Sequence, residues 1–286
     1  MGHLDIPKEL VRQLQRKELD MLLYFDQFCT EHNLTYFLCG GCCIGTVRNG
    51  GFIPWDDDVD VFMPRADYER IKKLWKNNGK YSIQYPQKDV RTATQALVIC
   101  DEETTFIRTC QKDLDIKHGI FLDVLPLDGC PTGWRRKMQK LWALLYGLYV
   151  VENAPVNHGR FLQILGKIGL VLVPIHSLRY RLWCFCEKKM SQYPIEQCDY
   201  ITELCAGTQD MQNEYPRRCF NHPIRMSFEG HMLNMPSDYD TYLRIVFGDY
   251  MKLPPEEQQV CHHEWEVIDF EHSYQIYRGK KYYVNK

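Results

Sequence analysis

The run Asp56-Asp57-Asp58-Val59-Asp60-Val61 constrains this chain more than any other stretch. Four carboxylates in six positions repel one another, so they stay together either on a solvated turn or around a cation. Read as a strand, the run turns Asp56, Asp58 and Asp60 to one face and Val59 and Val61 to the other. Carboxylates two apart on a strand stand roughly 6–7 Å apart at the Cα, close enough to share one divalent cation or a pair. On a helix the same residues would splay around the axis. An EF-hand beginning at Asp56 fails, because its sixth position requires glycine and here is Val61, and Pro64 interrupts the loop. Upstream lie an apolar strand at residues 36–39, the glycine pair Gly40-Gly41 as a turn, and Arg48. Backbone that can approach phosphate, one guanidinium and converging carboxylates predict phosphate chemistry on Mg²⁺, with Mn²⁺ as the alternative. The bland alternative is a solvated acidic turn.

Asp123 stands alone in the apolar segment Ile120-Phe121-Leu122-Asp123-Val124-Leu125. A carboxylate buried there is costly unless paired or metal-bound, so Asp123 is expected to complete a metal shell with Asp58 and Asp60 and to take a proton from an acceptor hydroxyl. Near the C terminus His262 and His263 are adjacent, and adjacent histidines cannot both face one metal from a helix. One of them remains a candidate for donor phosphate or for a base. Trp55 either stacks on a base or packs beneath the carboxylate loop, and packing is the favoured reading. Arg48 is the guanidinium for a phosphate oxygen, with a surface turn as its alternative.

Gly40-Gly41, Gly45-x-x-Arg48 and Gly50-Gly51-Phe52-Ile53-Pro54-Trp55-Asp56-Asp57-Asp58-Val59-Asp60 together resemble the signature of the LicD family. Phe247-Gly248-Asp249-Tyr250-Met251-x-Leu253-Pro254-Pro255-Glu256-Glu257 resembles its C-terminal motif. The resemblance implies a nucleotidyltransferase-type fold. It also implies transfer of phosphocholine from CDP-choline to a surface glycan, or of a polyol phosphate from a related CDP-alcohol, as in the fukutin group. Under it, Gly40, Gly41 and Cys42 meet the donor, and Asp249 and Tyr250 either contact the donor or form a structural turn. Cys42 departs from the Ser or Thr that many members carry there. A thiol is a poor donor, so the backbone N–H groups would carry more of the phosphate contact.

The chain of 286 residues has a net charge of −2 and no polybasic run, which argues against a nucleic-acid partner. Its thirteen cysteines are scattered without paired zinc spacing, and residues 1–25 are amphipathic and charged, unlike a secretory signal. Gly2 is followed by Ile6 where myristoylation needs Ser or Thr. Reduced thiols in a cytoplasm are therefore expected, with the inner face of the membrane as a place of work.

Helical spacing is expected over residues 7–32 and 67–76, and strands over 81–85, 95–100, 104–108 and 119–124. Residues 134–193 read as apolar helices too short to cross a bilayer; they are either core or an interfacial surface meeting a lipid-linked acceptor. A hairpin turning at Glu229-Gly230 follows, then a helix over 237–247 with Ser237 and Asp240 at capping-box spacing. The expected fold is α/β (α+β), a nucleotidyltransferase-like mixed sheet with flanking helices and an inserted helical subdomain. Residues 1–130 form the catalytic core, 131–195 the insertion, and 196–286 complete the catalytic domain. The expected activity is metal-dependent phosphotransfer from CDP-choline or a related CDP-alcohol to a glycan or lipid-linked glycan, as in lipopolysaccharide or teichoic acid synthesis, with peripheral membrane contact. The rivals are nucleotidyl transfer to a sugar phosphate or small molecule, and an inactive glycan-binding module.

Overall fold

A computed structural model of the chain describes residues 7–88, 90, 92–152 and 159–284. In chain order the elements begin α1 (Lys8–Glu31), β1 (Phe37–Leu38), α2 (Gly40–Asn49), β2 (Asp60–Pro64), α3 (Arg65–Leu74), β3 (Tyr81–Gln84), β4 (Leu97–Asp101), β5 (Thr105–Arg108) and β6 (Phe121–Cys130). Then come α4 (Gly133–Val151), α5 (Gly159–Leu172), α6 (His176–Met190), β7 (Tyr200–Glu203) and β8 (Tyr215–Pro216). The chain ends with β9 (Pro223–Phe228), β10 (His231–Pro236), α7 (Tyr239–Phe247) and β11 (Trp265–Asp269). This is the mixed α/β architecture that the sequence predicts. It divides into two compact units: Met1–Gln84 with Val98–Val124 and Arg218–Lys286, and Tyr85–Leu97 with Leu125–Arg217. The sequence reading places its boundaries at 130 and 195, whereas the first unit gives way at Val124 and resumes at Arg218.

In the first unit, α1 buries Val11, Leu14, Gln15, Glu18, Met21, Leu22 and Phe25 at three- and four-residue steps, the stripe an amphipathic helix turns to a core. The strands run in the order β1-β2-β6-β4-β3. β1 lies antiparallel to β2, with Phe37 opposite Phe62 and Leu38 opposite Val61. β9 and β10 form the expected hairpin, with His231 opposite Phe228 across the Glu229-Gly230 turn. β11 lies antiparallel to β5.

Three local expectations need correcting. Residues 56–59 are not strand; regular pairing begins at Asp60, because Asp56 N–H donates to Ile53 O (3.0 Å) and closes a turn through Pro54 and Trp55. Asp56, Asp58 and Asp60 therefore do not share a strand face. Gly40-Gly41 is not a turn but the first turn of α2, with Gly40 in the left-handed region at φ 51°. The cap of α7 is Asp238, whose Oδ1 accepts from Thr241 N–H at 3.3 Å; Ser237 Oγ instead donates to Arg218 O and Cys219 O.

The second unit packs α4 against α6 around Tyr146, Trp183, Cys186, Met190 and Leu204. Buried Arg136 knits it together by donating to Glu214, Gln139, Thr202 and the carbonyls of Met211 and Asn213. Among the described residues no helix is long and apolar enough to cross a membrane. Among the described residues no cysteine is in a disulfide, and most are buried.

Candidate active site

The carboxylate loop is held between α1 and the segment that precedes β11. Gln15, a polar residue on the buried stripe of α1, donates through Nε2 to both Ile53 O and Asp56 O (3.0 Å each). Asp57 is fully buried and accepts from the backbone N–H of His262 and of His263, each at 3.0 Å. The His263 ring follows, with Nδ1 3.5 Å from Asp57 Oδ1 and 4.0 Å from Asp58 Oδ2, its edge against Phe121. Asp123 enters from β6, its N–H donating to Val59 O at 2.9 Å. Asp57, Asp58, Asp123 and His263 thus come together from three distant stretches of sequence.

Electrostatics separates these acids. Burial raises Asp57, but His263 and the two backbone donors outweigh it and hold the carboxyl below its ordinary range. Burial raises Asp58, with Asp57 adding to it and His263, His262 and Arg108 opposing. Burial and the Asp58 charge lift Asp123 to about 6 against the pull of Arg108. Asp56 is pushed well up by burial and then by Asp58 and Asp57. His263 is lowered by burial and raised by Asp57 and Asp58, and the acids prevail. Among the described residues, the buried Asp56 Oδ2 and Asp123 Oδ1 have no hydrogen-bond partner.

The glycine pair sits beside this cluster. A Cβ on Gly41 would stand 2.2 Å from Asp56 Oδ2, so only glycine leaves room for that carboxylate. Gly40 N–H donates to Tyr242 Oη at 3.0 Å, and a Cβ there would lie 3.7 Å from Asp60 Oδ2. Cys42 is buried with Sγ 3.9 Å from Asp58 O, and its thiol is pushed well up by burial, then by Asp56, Asp60 and Asp58. A second group gathers around Arg48, whose guanidinium lies 5.9 Å over the Trp55 ring and donates to Tyr250 O at 3.2 Å. Tyr250 is buried and donates to Asp240 (2.8 Å), whereas Asp249 is exposed in the turn after α7. His262 is also exposed and reaches the cluster through its backbone.

Comparison with known proteins gives the chain its family. The family model described as "LicD/FKTN/FKRP, nucleotidyltransferase domain" matches residues 33–126, from the end of α1 to β6. Over 270 residues the chain is 32% identical to the lipopolysaccharide cholinephosphotransferase LicD of Haemophilus influenzae, covering 91% of this chain and 98% of that one. This chain belongs to the LicD family. An uncharacterised protein of Rickettsia typhi is 30% identical over 105 residues, 36% of this chain and 31% of its own.

Three groups of this LicD-family site escape the sequence reading. Arg108, at the end of β5, lies 4.0 Å over the Phe121 ring and acts on Asp58, Asp123 and His263. Nothing in its local sequence marks it. Asp57 serves as the anchor for His262 and His263 rather than as one more member of an acidic run. Glu18 is buried with neither carboxylate oxygen partnered, pushed well up by burial and then by Asp58, Asp56, Asp57 and Asp60. A polar residue on an apolar helical stripe was its available signal, shared with Gln15. Among the described residues no three Asp, Glu, His or Cys side chains already stand as a ligand set for a metal. The orphaned oxygen of Asp123 and its repulsion with Asp58 nevertheless fit a divalent cation, which would relieve both.

Proposed function

We propose that the chain is a metal-dependent phosphotransferase moving phosphocholine from CDP-choline to a hydroxyl of a cell-surface glycan or its lipid-linked precursor, with release of CMP. The observation that carries this reading is the 32% identity to the Haemophilus influenzae cholinephosphotransferase over nearly the whole of both chains. The clustered carboxylates support it. Asp58, Asp60 and Asp123 are the residues that would hold Mg²⁺ or Mn²⁺. When bound, the cation would offset the donor diphosphate's charge and stabilise charge developing on the CMP leaving group.

The chain's own residues do the rest. Arg48, with Trp55 beneath it, and Arg108 supply guanidinium groups for donor phosphate oxygens. The N-terminal turn of α2, opened by Gly40 and Gly41, offers backbone to the phosphates. His263, fixed by Asp57, stands 4.0 Å from Asp58 and positions that carboxylate. The acceptor hydroxyl oxygen attacks the phosphorus bearing choline, the bond from that phosphorus to CMP breaks, and Asp123 takes the hydroxyl proton. Donor supply places the reaction in the cytoplasm, and a lipid-linked acceptor places it against the inner face of the membrane.

A thermal-shift and transfer panel tests the reading, using CDP-choline, CDP-ribitol, CDP-glycerol, CTP and ATP with and without Mg²⁺. A Mg²⁺-dependent shift and CMP release with CDP-choline, both lost in Asp58→Asn, are expected. A response to CTP or ATP alone would make the chain a nucleotidyltransferase. A glycan-induced shift with no CMP release would make it a binding module.

A further inference from the structure

The helices of the second unit carry a charge unlike the rest of the molecule. α4, α5 and α6 hold ten Lys and Arg against one acid, Glu187, hence +9. The remaining 25 basic and 36 acidic residues leave the rest of the chain at −11, against a total of −2. Arg136 and Arg179 are turned inward, to Glu214 and Glu152 respectively (3.0 Å each). Lys167, Arg181 and Lys188 are exposed.

These exposed cations alternate with exposed apolar side chains. On α5, Ile164, Lys167, Ile168, Val171 and Leu172 recur at three- and four-residue steps and share one exposed face. Val171 and Leu172 are 76% and 74% exposed. The opposite face is made for close packing: Gly166 is buried, and a Cβ on Gly169 would stand 3.0 Å from the Leu148 side chain. On α6, Leu178, Arg181, Phe185 and Lys188 form the exposed face, opposite buried Trp183, Cys186 and Met190. Ile175 between the helices is 61% exposed. A soluble surface does not ordinarily array large aliphatic residues along a helix in this way.

We propose that the outer faces of α5 and α6 are a docking surface for an anionic lipid bilayer. The aliphatic side chains enter the boundary between headgroups and acyl chains, and Lys167, Arg181 and Lys188 meet the headgroups. The exposed cations of this face, Lys167, Arg181 and Lys188, decide for a bilayer over a second copy packed face to face, because two such faces brought together would repel. The inference rests on the phosphotransferase reading only in explaining why a bilayer would be near, through a lipid-linked acceptor.

Co-sedimentation of the full chain with vesicles tests it, comparing phosphatidylcholine alone with phosphatidylcholine containing about a third phosphatidylglycerol. Binding to the anionic vesicles is expected to be about tenfold stronger or more, and to weaken with salt. Val171→Glu with Leu172→Glu should abolish binding. Lys167→Glu, Arg181→Glu and Lys188→Glu together should erase the preference for anionic lipid. All five positions are exposed, so circular dichroism should match the parent, as should CMP release with a water-soluble glycan acceptor. The proposal is overturned if the parent binds neither vesicle, binds both equally, or binds unchanged after these substitutions. It is also overturned if light scattering shows a dimer that the apolar substitutions split. Loss of CMP release in the parent with vesicle binding intact would sink the phosphotransferase reading and leave the docking surface standing.

Discussion

Asp57 and Glu203 are both buried acids whose surroundings push them in opposite directions. Around Asp57 the His263 ring and two backbone N–H groups overcome burial, and the carboxyl is lowered. Around Glu203 burial prevails over the hydrogen bonds from Tyr215 and Asn213, and the pKa rises from 4.5 to about 7. For an acid raised on folding the sign is fixed: below pH 4.5 both states are protonated and nothing is lost. As pH climbs to 7 the unfolded chain releases a proton that the folded chain keeps, so stability falls and then levels off. The shift corresponds to about 3 kcal/mol. Glu203→Gln, which keeps the shape without the charge, should therefore gain on the parent by up to about 3 kcal/mol between pH 5 and pH 8. Urea unfolding at the two pH values reads this directly. Curves for parent and variant that stay parallel with pH would show that burial does not hold the Glu203 proton.

Elements were legible where their signal is local. The stripe of α1, the Glu229-Gly230 hairpin and α7 with its Gly248 stop all follow from spacing and turn chemistry. The cap of α7 shows where such reading slips by one residue. Ser237 and Asp238 are both good caps, and the choice falls to Asp238 because Ser237 Oγ is drawn to the carbonyls of Arg218 and Cys219. Asp238→Ala should cost about 1 kcal/mol, with faster hydrogen exchange at the Thr241 amide. A normal exchange rate there, with the loss appearing in Ser237→Ala instead, would return the cap to Ser237. The carboxylate loop departs from its sequence pattern for a stronger reason. Alternating Asp and Val look alike in a strand and in an extended loop, and what sets residues 56–59 apart lies elsewhere in the chain. Gln15 holds the loop from α1, and His262 binds Asp57 from 205 residues away. Of the candidate site, the carboxylates and glycines could be read from sequence. Arg108 and the anchoring role of Asp57 could not, because both depend on contacts between distant segments.

The first unit is assembled from three stretches of chain, so its site is complete only when the last of them returns. A chain ending at Pro255 would keep the motif around Asp249 and Tyr250 but lose His262, His263 and β11. β5 would then present an unpaired edge, and Asp57 would be a buried charge without its donors. Removing one partner of a buried pair costs about 3–5 kcal/mol, a large share of the roughly 5–15 kcal/mol that holds a typical domain together. The shortened chain should lose its Mg²⁺-dependent response to CDP-choline and melt with poor cooperativity. The origin of that loss is separable by one further substitution. In the full chain Asp57→Asn removes a charge that His263 and two backbone donors stabilise, and should lower the urea midpoint. In the shortened chain the same change removes a charge with nothing to stabilise it, and should raise the midpoint. Opposite signs in the two backgrounds assign the cost to the Asp57–His262–His263 junction. The same sign in both would mean that the C-terminal stretch matters only through the pairing of β11 with β5.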